Sequence, residues 1–284
     1  MKILSHKRCI IGEGPIWNAN EKTLYYTNGF GNEICTYNFN FGTTDSRSLS
    51  FGVAAFAFDT NNRLIVSHEG GVHVIGENNA LTPIYDSLKY KINYANDMKV
   101  GPDGAIYVGT QSEKRQNLSE KIDGKLYRIA SDGEVSVLLD GLLLSNGMDW
   151  SLDETRFYHT DSPTGLIKEY SFDKSGKIEF TGRQITVPGV DGFTIGKDGC
   201  LYIGCWGKQH IAIVDTETFE LKGYIDTPAK IPTSCCFCGD NMDVLAITTA
   251  SYCTDISQDV NAGFTFLKEM NTSGRKPYLF GEIK

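Results

Sequence analysis

One short pattern recurs along this chain and narrows the fold more than any other feature: a turn rich in Asn, Asp or Gly followed by a strand of apolar and aromatic residues. The strands begin at Leu24-Tyr-Tyr, Leu64-Ile-Val, Ile106-Tyr-Val, Phe157-Tyr-His, Leu201-Tyr-Ile and Leu245-Ala-Ile. Their turns are Asn20-Glu-Lys, Asn61-Asn62, Asp103-Gly104, Asp153-Glu154, Asp198-Gly199 and Asp240-Asn241, so each unit reads as a hairpin. Subtracting successive strand starts gives intervals of 40, 42, 51, 44 and 44 residues. A four-stranded propeller blade takes roughly 40 to 50 residues, so the pattern predicts an all-β, six-bladed β-propeller; a β-sandwich explains the regularity less well. At 284 residues with no evident linker, residues 1–284 are expected to form a single propeller domain. The segment Ala262–Leu267 and residues 1–9 are expected to pair and close the ring.

The charge excludes some partners. A net charge of −8 argues against nucleic acid, which draws on clustered Lys and Arg. No apolar run approaches the length of a membrane span, and the first residues, Met1-Lys-Ile-Leu-Ser-His-Lys, are too polar for a secretory signal. Eight cysteines without such a signal read as free thiols in a reducing, cytoplasmic setting. Cys235-Cys236-Phe237-Cys238 contains a C-x-x-C spacing, but a zinc site needs two further ligands in a similar arrangement, so ordinary strand packing is expected. Oligomeric state is not legible.

The repeat also selects chemistry. Asp191 lies 10 residues before Leu201, between small neighbours, and the equivalent place in the other units holds Glu13, Val53 or Ala54, Asn96, Asn146 and Ser234. The first strand of each blade lines the central channel, so these places are expected to face one another at one end of it. Glu13, Asn96, Asn146 and Asp191 then bring two carboxylates and two amides together, with Asp97 as a support for Asn96. Two anions held close repel, and a divalent cation relieves that repulsion. An all-oxygen set favours Ca²⁺, with Mg²⁺ or Mn²⁺ next and Zn²⁺ less expected. The competing reading is a polar plug of turn residues that keeps the blades in register.

Several stretches carry a resemblance. Gly12-Glu-Gly-Pro-Ile-Trp17, Asn96-Asp97, Ser145-Asn-Gly-Met-Asp-Trp-Ser-Leu-Asp153, Val190-Asp-Gly-Phe and Pro232-Thr-Ser-Cys-Cys-Phe237 resemble the motifs of the regucalcin/gluconolactonase (senescence marker protein) family, from about Gly12 to about Gly263. The resemblance implies a six-bladed propeller holding one divalent metal on Glu13, Asn146 and Asp191, with Asn96 beside it as a substrate contact. It implies hydrolysis of a small sugar-acid lactone with Asp191 as general base. It further implies a substrate-side Glu in the polar insertion 111–123, which counting back from Gly124 places at Glu120; that insertion is a candidate lid. Many lactonases of this family carry Arg two residues before the Asn-Asp pair, whereas this chain has Tyr94, which offers a hydrogen bond and a ring face without charge.

In a lactone the ester carbonyl gains negative charge as water adds, which suits a cation at the carbonyl oxygen and a carboxylate at the water. A serine-hydrolase reading lacks a Gly-x-Ser-x-Gly nucleophile, and the five histidines stand in no partner motif. His159 is expected to be a packed strand residue satisfied by Asp161. The alternatives are a non-catalytic propeller that binds Ca²⁺ or a small ligand, and a metal-dependent esterase acting on another ester.

Overall fold

The computed structural model describes residues 1–114 and 122–282. Among them lie six antiparallel four-stranded sheets, and the chain is a six-bladed β-propeller. The only helical element described is the short 3₁₀ turn Ser162–Thr164. No helix among the described residues is long and apolar enough to cross a membrane.

Each blade begins with an inner strand: Gly12–Asn18, Val53–Phe58, Ala95–Val100, Ser145–Trp150, Val190–Ile195 and Pro232–Cys238 for blades 1 to 6. The first hairpin of a blade follows from its turn residues. In blade 5, Gly199 takes φ +75°, Gly196 N–H donates to Cys200 O at 2.9 Å, and Tyr202 Oη donates to Asp198 at 2.8 Å. Blade 3 repeats the device with Gly104 at φ +71°, Gly101 on Ala105 and Tyr107 on Asp103. A left-handed turn residue and an Asp accepting from the following strand fix the register that the repeat requires.

Blades divide into two compact units. One comprises Met1–Val53 and Ile185–Pro277, and so holds blades 1, 5 and 6. The other runs from Ala54 to Gln184 with the tail from Tyr278, and holds blades 2, 3 and 4, the division falling within the edges of two strands.

In the first unit Trp17, Leu24, Tyr26, Phe237, Leu245 and Phe266 form one buried cluster with Cys235 and Cys238. The C-x-x-C cysteines therefore sit in strand packing. Blade 6 is completed by the N-terminal strand Lys2–Ser5, which pairs with Thr265–Glu269 through Lys2↔Leu267, Ile3↔Phe266 and Ser5↔Thr265, the pairing expected from sequence. In the second unit Tyr107, Trp150, Phe157 and Phe172 are packed ring to ring, with Tyr107 and Trp150 centroids 4.8 Å apart and Trp150 and Phe157 5.0 Å apart. Aromatic pairs at these separations add about 0.5–1.5 kcal/mol each beyond area burial.

Candidate functional site

The candidate residues stand where the inner strands break register. In blade 5 Val190 faces Cys205 and Phe193 faces Ile203, so Asp191 and Gly192 together oppose one residue, Gly204. Blade 4 has the same bulge, Ser145↔Asp161 and Met148↔His159, at Asn146-Gly147; blade 3 has it, Ala95↔Thr110 and Met98↔Val108, at Asn96-Asp97. Blade 1 shifts register just after Glu13, between Glu13↔Thr27 and Ile16↔Tyr25. A bulge adds a residue to one strand and re-aims its side chain, which is why bulges concentrate beside functional sites.

Register corrects one expectation. Phe237 pairs with Leu245 as Ile195 pairs with Leu201, so four residues back from each the equivalent of Asp191 is Thr233, not Ser234. The difference arises from the longer turn of blade 6.

In the first unit, Thr233 ties neighbouring inner strands together. Its Oγ1 lies 2.5 Å from Gly12 O, the residue before Glu13, and 2.9 Å from Thr248 Oγ1. The backbone of Thr233 lies against Gly204, where a Cβ would stand 2.4 Å from the Thr233 carbonyl oxygen. At Gly192 a Cβ would stand 2.2 Å from Ser234 Oγ. Glu13 is half-buried and Asp191 only 5% exposed. Burial, helped by the Asp191 charge, pushes the Cys205 thiol up to about 11, so that thiol stays protonated.

In the second unit, Ser67 Oγ donates to Asn96 O at 2.6 Å, and Asn96 Nδ2 donates to Ser145 O at 3.0 Å. The second bond fixes the Asn96 amide: its nitrogen is on a carbonyl, so its oxygen is turned the other way. Asn146 follows Ser145 and is 7% exposed. Asp97 receives the Met98 N–H at 2.8 Å, and burial raises its pKa against the opposing pull of Lys99.

Tyr94 is held at φ +54°, a left-handed conformation unusual for a bulky side chain, by backbone bonds from its N–H to Glu69 O (2.8 Å) and from Gln111 N–H to its own carbonyl (3.0 Å). Its phenol is hydrogen-bonded to Glu113, which raises its pKa and keeps it a donor. Nothing in the sequence pattern marks Glu113. Glu120 lies outside the described residues.

His159 is 2% exposed, and its partner differs from the expected one. Its Nε2 is 2.7 Å from Ser145 Oγ, whereas the Asp161 carboxylate accepts the N–H groups of Leu143 (3.0 Å) and Leu144 (2.8 Å). Burial holds His159 down at about 3, with the Lys168 charge adding to the effect. Among the described residues no carboxylate orients this histidine, and Ser145 is fully buried, an arrangement that does not make the pair the nucleophile and base of a serine hydrolase.

Glu13, Asn146 and Asp191 suit a hard divalent cation. All three present oxygen donors, two are nearly excluded from solvent, and Gly192 lets the backbone beside Asp191 approach where a side chain would collide. Among the described residues no three His, Cys, Asp or Glu side chains converge as a metal cluster. Glu13 and Asp191 are only two residues of those types, and Asn146 offers an amide oxygen instead. An open depression of about 480 Å³, lined by residues that include Asp198, Asn241, Asp243 and Ser273, lies at the hairpin turns of blades 5 and 6, at the other end of the inner strands from Asp191.

Residues 11–251 match the model of the SMP-30/gluconolactonase/LRE-like region. YvrE of Bacillus subtilis, a protein named as a putative sugar lactone lactonase, is 30% identical over 96% of both chains. Pentonolactonase XacC of Haloferax volcanii is 28% identical over 85% of this chain and 82% of its own, and regucalcin of Gallus gallus is 27% identical over 95% and 94%. Among solved structures, a regucalcin from Agrobacterium tumefaciens described as a calcium-binding protein superposes with a TM-score of 0.88 at 22% identity, covering 99% of this chain and 97% of its own.

Proposed function

Because the chain belongs to the SMP-30/gluconolactonase/LRE-like family, whose members include named lactonases, we propose that it is a metal-dependent hydrolase that opens a small sugar-acid lactone. The observation that carries this reading is the common phase of Glu13, Asn146 and Asp191, at or beside a register break at the start of an inner strand. In a six-bladed ring that place turns toward the axis, so the three would hold one divalent cation, Ca²⁺ first among the candidates. The ion, when bound, supplies positive charge to the lactone carbonyl oxygen, where negative charge develops.

This chain's own residues perform the remaining steps. Asp191 accepts a proton from the attacking water, whose oxygen forms the new bond to the carbonyl carbon. The ring C–O bond breaks, and the proton passes back to the departing alkoxide, leaving a hydroxy acid. Glu13 and Asn146 hold the cation. Asn96, its amide oriented by Ser145 O, contacts the substrate oxygen, and the Tyr94 phenol stands in for the family arginine at the sugar. Glu120, in the insertion 111–123, belongs to the same proposal as a substrate-side residue.

The test is proton release from a panel of aldonolactones by metal-stripped protein, with Ca²⁺, Mg²⁺, Mn²⁺ or Zn²⁺ restored in turn. Turnover that requires a metal and disappears in Asp191→Ala supports the proposal. A second reading, a non-catalytic calcium- or ligand-binding propeller, is favoured by Tyr94 engaged with Glu113 where an arginine is common. Metal binding without turnover of any lactone would select it, and turnover confined to other esters would make the protein an esterase.

A further inference from the structure

The Ser145–His159 pair is an anomaly within the chain's own repeat. Blades 3 and 5 share the register of blade 4, and at the two matching places they carry Ala95 with Val108 and Val190 with Ile203. All four of those residues are buried and apolar. Blade 4 places a hydroxyl and an imidazole in the same space, 0% and 2% exposed. Burying two polar groups for one hydrogen bond is at best neutral against well-packed aliphatic side chains, so stability alone does not explain the exchange.

The bond's position does explain it. His159 pairs across the sheet with Met148, beyond the bulge, while its ring reaches back to Ser145, before the bulge. The 2.7 Å contact therefore spans the interruption at Asn146-Gly147, where the ladder itself is broken. Ser145 is held further by Gly109, where a Cβ would stand 2.1 Å from Ser145 Oγ, and its carbonyl receives Asn96 Nδ2. One fixed serine thus governs where Asn146 starts and which way the Asn96 amide faces.

We propose that Ser145 and His159 are a positioning pair: their hydrogen bond clamps the Asn146 bulge and, through the Ser145 carbonyl, sets the Asn96 amide, so that both amides are presented to the ligand in one geometry. The ligand part of this inference rests on the reading of Asn146 as a metal ligand. Neither residue takes part in bond making.

The experiment copies the blade 5 pair into blade 4 as Ser145→Val/His159→Ile. Three quantities are read on the full chain: the urea midpoint, amide hydrogen exchange over 146–148 in metal-free protein, and Mn²⁺ affinity by electron paramagnetic resonance. The expected result is an undiminished urea midpoint, with exchange about tenfold faster and Mn²⁺ bound about tenfold more weakly, the scale of loss typical when the support of a metal ligand is removed. His159→Gln, which retains a donor near the Nε2 position, is expected to keep the affinity within about threefold of wild type, and an equal loss there would overturn the role of the hydrogen bond. Exchange and affinity both unchanged in the double variant overturn the proposal; faster exchange with unchanged affinity overturns its ligand part. Should the double variant fail to fold, His159→Leu, which removes the hydrogen bond and leaves Ser145 in place, decides by the same two readings. Wild-type protein that binds no Mn²⁺ or Ca²⁺ would count against the metal site itself, and exchange over 146–148 would still decide whether the pair clamps the bulge.

Discussion

Gly204→Ala should damage the fold and the candidate ligand set together, by an amount the local geometry sets. Gly204 is buried on the second strand of blade 5, opposite the Asp191-Gly192 bulge, and its φ lies in a region open to any residue. Alanine therefore meets no backbone strain there, and in the unfolded chain it lowers entropy, which favours folding by about 0.4–1 kcal/mol. Against that, the new Cβ would lie 2.4 Å from Thr233 O, 2.5 Å from Thr233 C and 2.9 Å from Ser234 N. All three are backbone atoms, so no side chain can rotate away, and relief requires the inner strand of blade 6 to move by about 1 Å. Overpacking of this kind costs about 1–3 kcal/mol, leaving a net loss of up to about 2.6 kcal/mol, about 1.3 kcal/mol at the midpoints. The strand that must move carries Thr233, whose hydroxyl holds Gly12 O beside Glu13. Metal affinity should fall with stability for that reason. Gly29→Ala is the control, since its nearest contact would be 3.6 Å away at an ordinary φ, and it should be neutral or slightly stabilising. Urea unfolding and calcium titration calorimetry measure both quantities. Gly204→Ala with wild-type stability and affinity would refute the argument that blade-to-blade contact at Thr233 sets the position of Glu13.

Other consequences are open to measurement. Asp191→Asn keeps the shape of the side chain but removes its charge and basicity, so lactone turnover should drop by at least about a hundredfold, the scale of general-base catalysis, in a pH-stat assay. Tyr94→Phe should raise KM severalfold with little change in kcat, because the phenol, kept protonated beside Glu113, contributes binding rather than proton transfer; an equal fall in kcat would contradict this. Acid should destabilise the protein through its buried neutral histidines. His68, 3.0 Å from His73, is pushed down to about 4 and His159 to about 3, both below the ordinary 6.5, so the unfolded chain binds protons first. Their contribution is complete above pH 6.5 and is lost as pH falls toward 4 and 3, by up to about 1.4 kcal/mol per pH unit for each histidine. Urea midpoints between pH 7 and 4.5 should show this slope, and His159→Ile should make it shallower.

How much of the molecule is visible in its residues differs from feature to feature. The propeller is legible because the hairpins repeat one chemistry, a polar turn followed by an apolar or aromatic strand, although the left-handed turn residue is Asn62, Gly104 or Gly199 in blades 2, 3 and 5 and Lys22, Glu154 or Met242 in the others. Closure of blade 6 by the N-terminal strand is legible because Ile3-Leu4 is a short apolar run outside the six hairpin units and Ala262–Leu267 is the strand-like segment that follows the last of them. The bulges are not, because two residues opposing one leave no mark on composition or spacing. Counting along the chain therefore points to Ser234 in blade 6, and Thr233 emerges only when Phe237 is seen opposite Leu245. Asp161 shares a strand face with His159 and is the natural partner on that rule, but two backbone N–H groups at the turn into blade 4 bind its carboxylate instead. Glu113 reaches Tyr94 through the conformation of a loop, which no local pattern encodes.

Sealing blade 6 with the first strand of the chain has a consequence for synthesis. Lys2 pairs with Leu267, so 265 residues must be made between the appearance of one strand and that of its partner. At roughly 5–20 residues per second the wait lasts roughly 13 to 53 s, while hairpins form in microseconds. Throughout it Lys2–Ser5, with Ile3 and Leu4 as its apolar residues, lacks the strand it pairs with and is open to strand edges on other nascent chains. The last blade cannot be completed until Thr265–Glu269 has been made, and a ribosome stalled before that strand would release a chain in which Lys2–Ser5 has never found its partner.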